Sequence, residues 1–277
     1  MKITQIRSAT LILHWQERHI LVDPMLSSQG AMLPFRWLSR RRQRNPIVGL
    51  PDSAGPALDR VTHGLITHCR KGHHDHLDRA GIRLFQERGI PVFCSQRDAD
   101  HLRRRGIDAR PLAPDRENPF FTGTIHLVPC RHGRGWVGSL MEHGVGYVID
   151  LPGEPKVYLS GDTVLTEAVR DAIRVHRPDV VVVHAGAAQL DVGQPILMAI
   201  EEVLELVRLA PGRVIANHME ALDHCPVTRE ALRARAAHEG LAEALLIPAD
   251  GEVLAFPGTS SSRGRDLRQQ RVDGRLE

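Results

Sequence analysis

Apolar residues along this chain come in short runs set off by polar punctuation, and their spacing switches between period two and period 3.6. Thr10 to Leu13 and His19 to Val22 flank the polar step Trp15-Gln16-Glu17-Arg18 and predict a β-hairpin. Gly64-Leu65-Ile66-Thr67 reads as a buried strand. From Leu77 onward, Leu77, Ile82, Leu84 and Phe85 alternate with Arg79, Arg83 and Glu87 at helical spacing. Strands then alternate with helices: Pro91 to Cys94 before Asp98 to Arg105, Val157 to Leu159 before Glu167 to His176, and Val180 to Val183 before Pro195 to Leu209. After Ile215 the pattern predicts a helix over Thr228 to Glu239, a strand over Ala244 to Ile247 and a hairpin through Asp250-Gly251. Alternation of this kind predicts an α/β fold. No period short enough for a solenoid is present. Residues 259–277 are polar and arginine-rich and are expected to be disordered, which leaves one folded domain over 1–258.

Composition narrows this picture without changing it. With 277 residues, 42% apolar and 25% charged, the chain can bury a large core, and an aromatic content of only 4% means that Val, Leu, Ile and Ala fill it. Net charge is +3, of which the last 19 residues contribute +2 from five arginines against three acids. A nearly neutral folded part predicts no nucleic-acid partner. Met1 to Arg7 lacks an uninterrupted apolar run and no stretch is long enough to span a bilayer, so a cytoplasmic location without membrane association is expected. Cys69, Cys94, Cys130 and Cys225 show no Cys-x-x-Cys spacing and read as small, reduced, partly buried residues.

The chemistry concentrates where the predicted strand ending at Thr67 meets the predicted helix. His68, His73, His74, Asp75 and His76 crowd that loop, a density of imidazole and carboxylate that packing does not require, at the end of a strand where α/β sheets place ligands. Imidazole nitrogen and carboxylate oxygen are the donors that zinc and similar cations take. A cation lowers the pKa of bound water from ~15.7 to near ~7 and so supplies a hydroxide nucleophile at neutral pH.

Further motifs follow in order: Cys130-Arg131-His132-Gly133 after an apolar run, Tyr158-Leu159-Ser160-Gly161-Asp162-Thr163 at a strand end, and Val214-Ile215-Ala216-Asn217-His218-Met219-Glu220 at another. Together with Ile20-Leu21-Val22-Asp23-Pro24, they resemble the metallo-β-lactamase-fold hydrolases, whose first motif is Thr-His-x-His-x-Asp-His. The resemblance spans about residues 1 to 256. It implies an αββα sandwich of two mixed sheets with helices on the outer faces, and two metal ions, with zinc as the default and manganese or iron as alternatives. His68, His73 and His132 would hold one ion, Asp75, His76 and His218 the second, and Asp162 would bridge them. The chain departs from the pattern at Arg70-Lys71-Gly72. Either these residues are an insertion that bulges outward at Gly72 and returns His73 to register, or His68 has been pushed out of reach.

Candidates for proton transfer or substrate contact are Asp75, His184 at the end of Val180 to Val183, and His224, with a structural role an equal reading for the two histidines. Glu220 and Asp223 are candidate acceptors behind a ligating imidazole. His74 is the variable position of the motif and is expected to point away; His14, His19, His63, His101, His126, His143, His176 and His238 read as surface or satisfied core residues. The run Phe35 to Leu50 is a solvated basic loop or, on the sharper reading, an anion-binding loop in which Arg41, Arg42 and Arg44 hold a substrate. The resemblance implies a hydrolase acting through a metal-bound hydroxide on a small lactone, ester or amide, anionic on the basic-loop reading, and is strongest to the branch that includes the lactonase for phosphorylated ascorbate. A phosphodiesterase of the same fold, and a non-catalytic metal-binding or regulatory protein with a disrupted first site, are the alternatives. The expected partner is a small-molecule substrate, and homo-oligomerisation stays open.

Overall fold

The computed structural model describes residues 1–39, 42–70, 72–141 and 144–258. Its strands form two seven-stranded mixed sheets. The first runs β14 (Val253–Ala255), β1 (Lys2–Arg7), β2 (Thr10–Trp15), β3 (Arg18–Val22), β4 (His63–Ile66), β5 (Val92–Ser95) and β6 (Ala109–Leu112). The second runs β13 (Leu245–Leu246), β12 (Arg213–Asn217), β11 (Val180–His184), β10 (Val157–Leu159), β9 (Val145–Asp150), β8 (Gly123–Pro129) and β7 (Asn118–Phe120). Helices α1 (Ala54–Leu58), α2 (Arg79–Glu87) and α3 (Gln96–Arg103) belong to the first half of the chain; α4 (Gly135–Leu140), α5 (Glu167–His176), α6 (Ile200–Leu209) and α7 (Arg229–His238) belong to the second.

Strand periodicity accounts for the layering. In β11 every valine is buried, because Val180 and Val182 face Leu13, Leu159 and Ile215 between the sheets while Val181 and Val183 face Val169, Leu204 and Leu232 under α5, α6 and α7. A strand covered on both faces reads as a continuous apolar run rather than an alternation. On the first sheet Leu11, Leu13 and Ile20 join the central layer, whereas Ile12, Leu21, Ile66 and Val92 meet Phe85, Ala99 and Leu102 of α2 and α3. Each such side chain contributes roughly 1.5–3 kcal/mol on burial. The αββα sandwich expected from the sequence is therefore the fold.

Helix starts follow capping chemistry. Asp78, Thr166 and Thr228 accept from the backbone N–H of Gly81, Val169 and Ala231, and fix the first turns of α2, α5 and α7. Two expectations need correction. The helix predicted from Pro195 begins only at Ile200, since Ile196, Leu197 and Met198 are buried in an irregular segment. The strands on either side of Asp250-Gly251 do not form a hairpin: β13 pairs with β12 in one sheet and β14 with β1 in the other, the turn being tied across by Gly251 N–H to Gln5 O at 2.8 Å.

Parallel pairing sets up the site. β3 to β6 run parallel in one sheet and β10 to β13 in the other, so the carboxyl ends of β4, β10, β11 and β12 lead into Thr67, Ser160, His184 and His218. No helix among the described residues is long and apolar enough to cross a membrane.

Candidate metal centre

His68 lies just past the end of β4, His132 past β8, Asp162 past β10, His184 closes β11 and His218 follows β12. Their donor atoms meet in two adjoining clusters. His68, His73 and His132 form one; His76, Asp162, His184 and His218 form the other, with all donor atoms of each cluster within 4.8 Å of one another. Asp162 stands between them. Its Oδ2 lies 3.3 Å from His132 Nε2 and 3.7 Å from His68 Nε2 on one side, and 3.2 Å from His76 Nε2 on the other. Asp75 Oδ2 is 3.6 Å from His218 Nε2 and 3.7 Å from His76 Nε2. The structure thus brings together all seven residues of the expected ligand set and adds His184, whose Nδ1 is 2.5 Å from Asp162 Oδ1.

The inserted residues do not part His68 from His73. Their ring centroids are 4.4 Å apart. Gly72 takes φ +87° with open space where a Cβ would be, His73 N–H donates to Arg70 O, and Arg70 is exposed; Lys71 lies outside the described residues. Only glycine adopts that backbone without strain. Gly72→Val is expected to lower stability by about 1–2 kcal/mol and to weaken metal binding at the first cluster, read by thermal unfolding with and without added zinc; unchanged values in both would remove the turn's role.

The second nitrogen of several imidazoles is held from behind, which fixes ring orientation and tautomer. His76 Nδ1 is 2.9 Å from Asp23 Oδ2, His132 Nδ1 is 2.9 Å from Ile196 O, and His68 Nδ1 is 3.0 Å from Thr67 Oγ1. His218 Nδ1 has a thiol behind it, Cys225 Sγ at 3.6 Å. His218 itself sits at φ +58°, and Gly186 is required beside it, because a Cβ there would lie 2.2 Å from His218 O.

Electrostatics divide the two clusters. Burial pulls the His68 imidazole well below its ordinary pKa, with His76 and His73 adding to the effect, and burial likewise lowers His73 to about 4. Both are therefore neutral at pH 7, the form that offers a lone pair to a cation. At His76 burial also disfavours charge, but Asp162, Asp75 and Asp23 outweigh it and raise the pKa well above the usual value; at His218 the same opposition, led on the raising side by Asp162, brings it to about 10. Asp162 and Asp75 are held well below the carboxylate range by these histidines, His76 foremost, against the effect of burial. Carboxylates that favour a proton at this point favour a metal cation for the same reason. The donor set fits one: His68 Nε2 and Asp75 Oδ1 are buried with no hydrogen-bond partner among the described residues.

Sequence comparison reports the same chemistry. The family model described as a beta-lactamase superfamily domain matches residues 18–219. The chain belongs to that superfamily. YddR of Bacillus subtilis is 34% identical over 261 residues, covering 92% of this chain and 100% of that one. A protein of Methylobacterium nodulans named as a metal-dependent hydrolase is 25% identical over 265 residues, covering 93% and 100%. Among solved structures, an isothiocyanate hydrolase from Delia radicum gut bacteria superposes with a TM-score of 0.83 at 32% identity, covering 94% of this chain and 100% of that one. The chain is accordingly a metal-dependent hydrolase.

Other candidates fall elsewhere. Glu220 and Asp223 do not stand behind a ligand: Glu220 accepts from Arg229 N and Nη1, and Asp223 accepts from the N–H groups of Phe35 and Arg36 and from Asn45 Nδ2. Asp191 Oδ2 accepts from Trp37 and Leu38 N–H, so two carboxylates fasten this loop beside the site. Within it Arg44 spends its guanidinium on the carbonyls of Gly30 and Ala31, Arg42 is exposed, and Arg41 lies outside the described residues, as do Arg40, His143 and 259–277. His224 is buried, packs at a tilt against Phe35 with centroids 4.5 Å apart, and leaves Nδ1 without a partner among the described residues. Burial lowers its pKa to about 4.

Beside this loop opens a cavity of about 890 Å³, missed by sequence reasoning because no periodicity marks it. Met32, Leu33, Phe35, Trp37 and Ile82 form an apolar wall, with His74, Arg79 and Arg83 also lining it. It adjoins the metal centre through His74, flanked in sequence by His73 and Asp75, and through Phe35 on His224. His74 is exposed, as expected, yet it faces this cavity.

Proposed function

We propose that this hydrolase adds water to an electrophilic carbon, that of a lactone, ester, amide or isothiocyanate, on a small molecule whose apolar body lies in the cavity of Leu33, Phe35 and Trp37. The observation that carries this reading is the adjacency of the His/Asp centre to a largely apolar cavity of drug-like size, for which about 300–1,000 Å³ is usual. Similarity to an isothiocyanate hydrolase supports including that electrophile. For the isothiocyanate arm, water oxygen bonds to the central carbon, the nitrogen–carbon bond breaks, nitrogen takes up the protons, and amine and carbonyl sulfide leave.

Two ions, zinc by default and manganese or iron otherwise, would be held by His68, His73 and His132 and by Asp75, His76 and His218, with Asp162 shared; bound there, they would supply an acidified water and polarise the electrophile. The protein's own groups do the rest. Asp75 Oδ1, buried and unpartnered, is placed to accept a proton from water. His184, locked on Asp162 Oδ1, orients that carboxylate. His224, neutral and unpartnered at Nδ1, is placed to hydrogen-bond the substrate heteroatom beside Phe35. Phe35 and Trp37 exclude water and hold the apolar body.

Protein stripped and reloaded with zinc, manganese or iron is tested against lactones, esters, amides, isothiocyanates and phosphodiesters. Turnover is expected on at least one carbon electrophile, rising with apolar bulk and lost on chelation. Turnover confined to phosphodiesters overturns this reading.

A further inference from the structure

The cavity has one feature that apolar substrate binding leaves unused. Arg79 and Arg83 both line it, both are exposed, and neither guanidinium has a hydrogen bond or ion pair among the described residues. Standing four positions apart, they stack on one face of α2. Several arginines on other helices do have an acidic partner: Arg103 pairs with Asp100, Arg174 with Asp171 and Arg208 with Glu239. Glu87, one turn beyond Arg83, forms no ion pair with it.

The placement is also unfavourable to the isolated helix. Arg79 opens α2 directly after its Asp78 cap, whose carboxylate also lines the cavity but is committed to the N–H groups of Gly81 and Ser27, and a second, like-charged side chain lies one turn on. An anion between the two guanidiniums relieves that repulsion, and arginine matches carboxylate and phosphate oxygens in bidentate fashion. Across the cavity stand Leu33 and Trp37, 59% and 54% exposed, on a loop that Asp191 and Asp223 hold in place. Arg83 lies about 6 Å further along the helix axis than Arg79, and so further from the ligand loop.

We infer that the cavity selects substrates bearing a carboxylate or phosphate on an apolar body, with Arg79 and Arg83 as the anion clamp. This rests on the proposed use of the cavity as the substrate site, and it moves anion recognition from the basic loop of Arg41, Arg42 and Arg44 to α2.

Binding, not turnover, tests it, so its outcome is separate from that of the substrate panel. Zinc-loaded full-length protein is titrated calorimetrically with 4-phenylbutyrate, 4-phenylbutyl phosphate and the neutral 4-phenylbutan-1-ol. At least one anion should bind about tenfold or more tighter than the alcohol. The double variant Arg79→Gln/Arg83→Gln should abolish that preference while leaving alcohol affinity and zinc content unchanged and the melting temperature no lower, and Arg79→Lys/Arg83→Lys should restore part of it. The tighter of the two anions names the group recognised. Equal affinity of anions and alcohol for the parent protein overturns the inference, and so does an anion preference that survives in the glutamine variant, because the metal ions would then be its source.

Discussion

Asp162→Ala is expected to strip both ions and to reduce hydrolysis by more than the about 10²–10³ lost when one electrostatic contact to a transition state is removed. The reason is geometric. Oδ2 of this single carboxylate lies within 3.2–3.7 Å of Nε2 of His76, His132 and His68, and Oδ1 is 3.8 Å from His218 Nε2, so one charge serves donors of both clusters. Its loss removes the negative charge that the two clusters share. His218→Ala, by contrast, deletes a donor from one cluster only and is expected to lower the metal content from about two equivalents toward one. Elemental analysis of the two variants beside the parent, with kcat/KM on the best substrate of the panel, decides between them. Equal metal content in all three with unchanged kcat/KM would mean that Asp162 and His218 are structural.

Much of this was legible in the sequence because it depends on local rules. α5 spans Glu167–His176 as the apolar spacing and the Thr166 cap require, β10 matches its apolar run, and the metal-type residues follow strands because parallel sheets deliver their carboxyl ends to one edge. What escaped depends on tertiary partners. Pro195 looked like a helix start, but the segment after it gives Ile196 O to His132 Nδ1 and packs Ile196 and Leu197 against Met25 and Leu222, so it walls the site instead of coiling. Asp250-Gly251 looked like a hairpin because turn chemistry cannot say which sheet each flanking strand joins. On α2, helical spacing alone gives Arg79 and Arg83 the pattern of an ordinary solvated face, and the cavity they line is what distinguishes them. Asp223 looked like an acceptor for an imidazole by proximity in sequence, whereas its carboxylate satisfies loop N–H groups that have no secondary-structure partner.

The second large effect concerns Asp23, which the sequence marks only as part of the strand-end motif Ile20-Leu21-Val22-Asp23-Pro24. Its carboxylate is fully buried and serves the β4 loop and the metal centre at once: Oδ1 accepts from Thr67 N–H at 2.8 Å, and Oδ2 lies 2.6 Å from Thr67 Oγ1 and 2.9 Å from His76 Nδ1. Asp23→Ala strands these groups in the interior, where breaking a buried charged pair costs about 3–5 kcal/mol, and it places alanine at φ +45°. The more informative variant is Asp23→Asn, which keeps the shape and tolerates that backbone. Its amide N–H would face His76 Nδ1, turning that nitrogen into an acceptor and moving the proton to Nε2, the atom that points at Asp162. A protonated Nε2 cannot bind metal. Asp23→Asn is therefore expected to unfold within a few degrees of the parent when both are metal-free, yet to bind the second ion about 10–100-fold more weakly and to lose most of its hydrolytic activity. Calorimetric metal titration beside thermal unfolding separates the two roles. If metal affinity falls only in proportion to stability across the Ala and Asn variants, Asp23 supports the fold alone; if Asn loses the ion while keeping the fold, it sets the tautomer of His76.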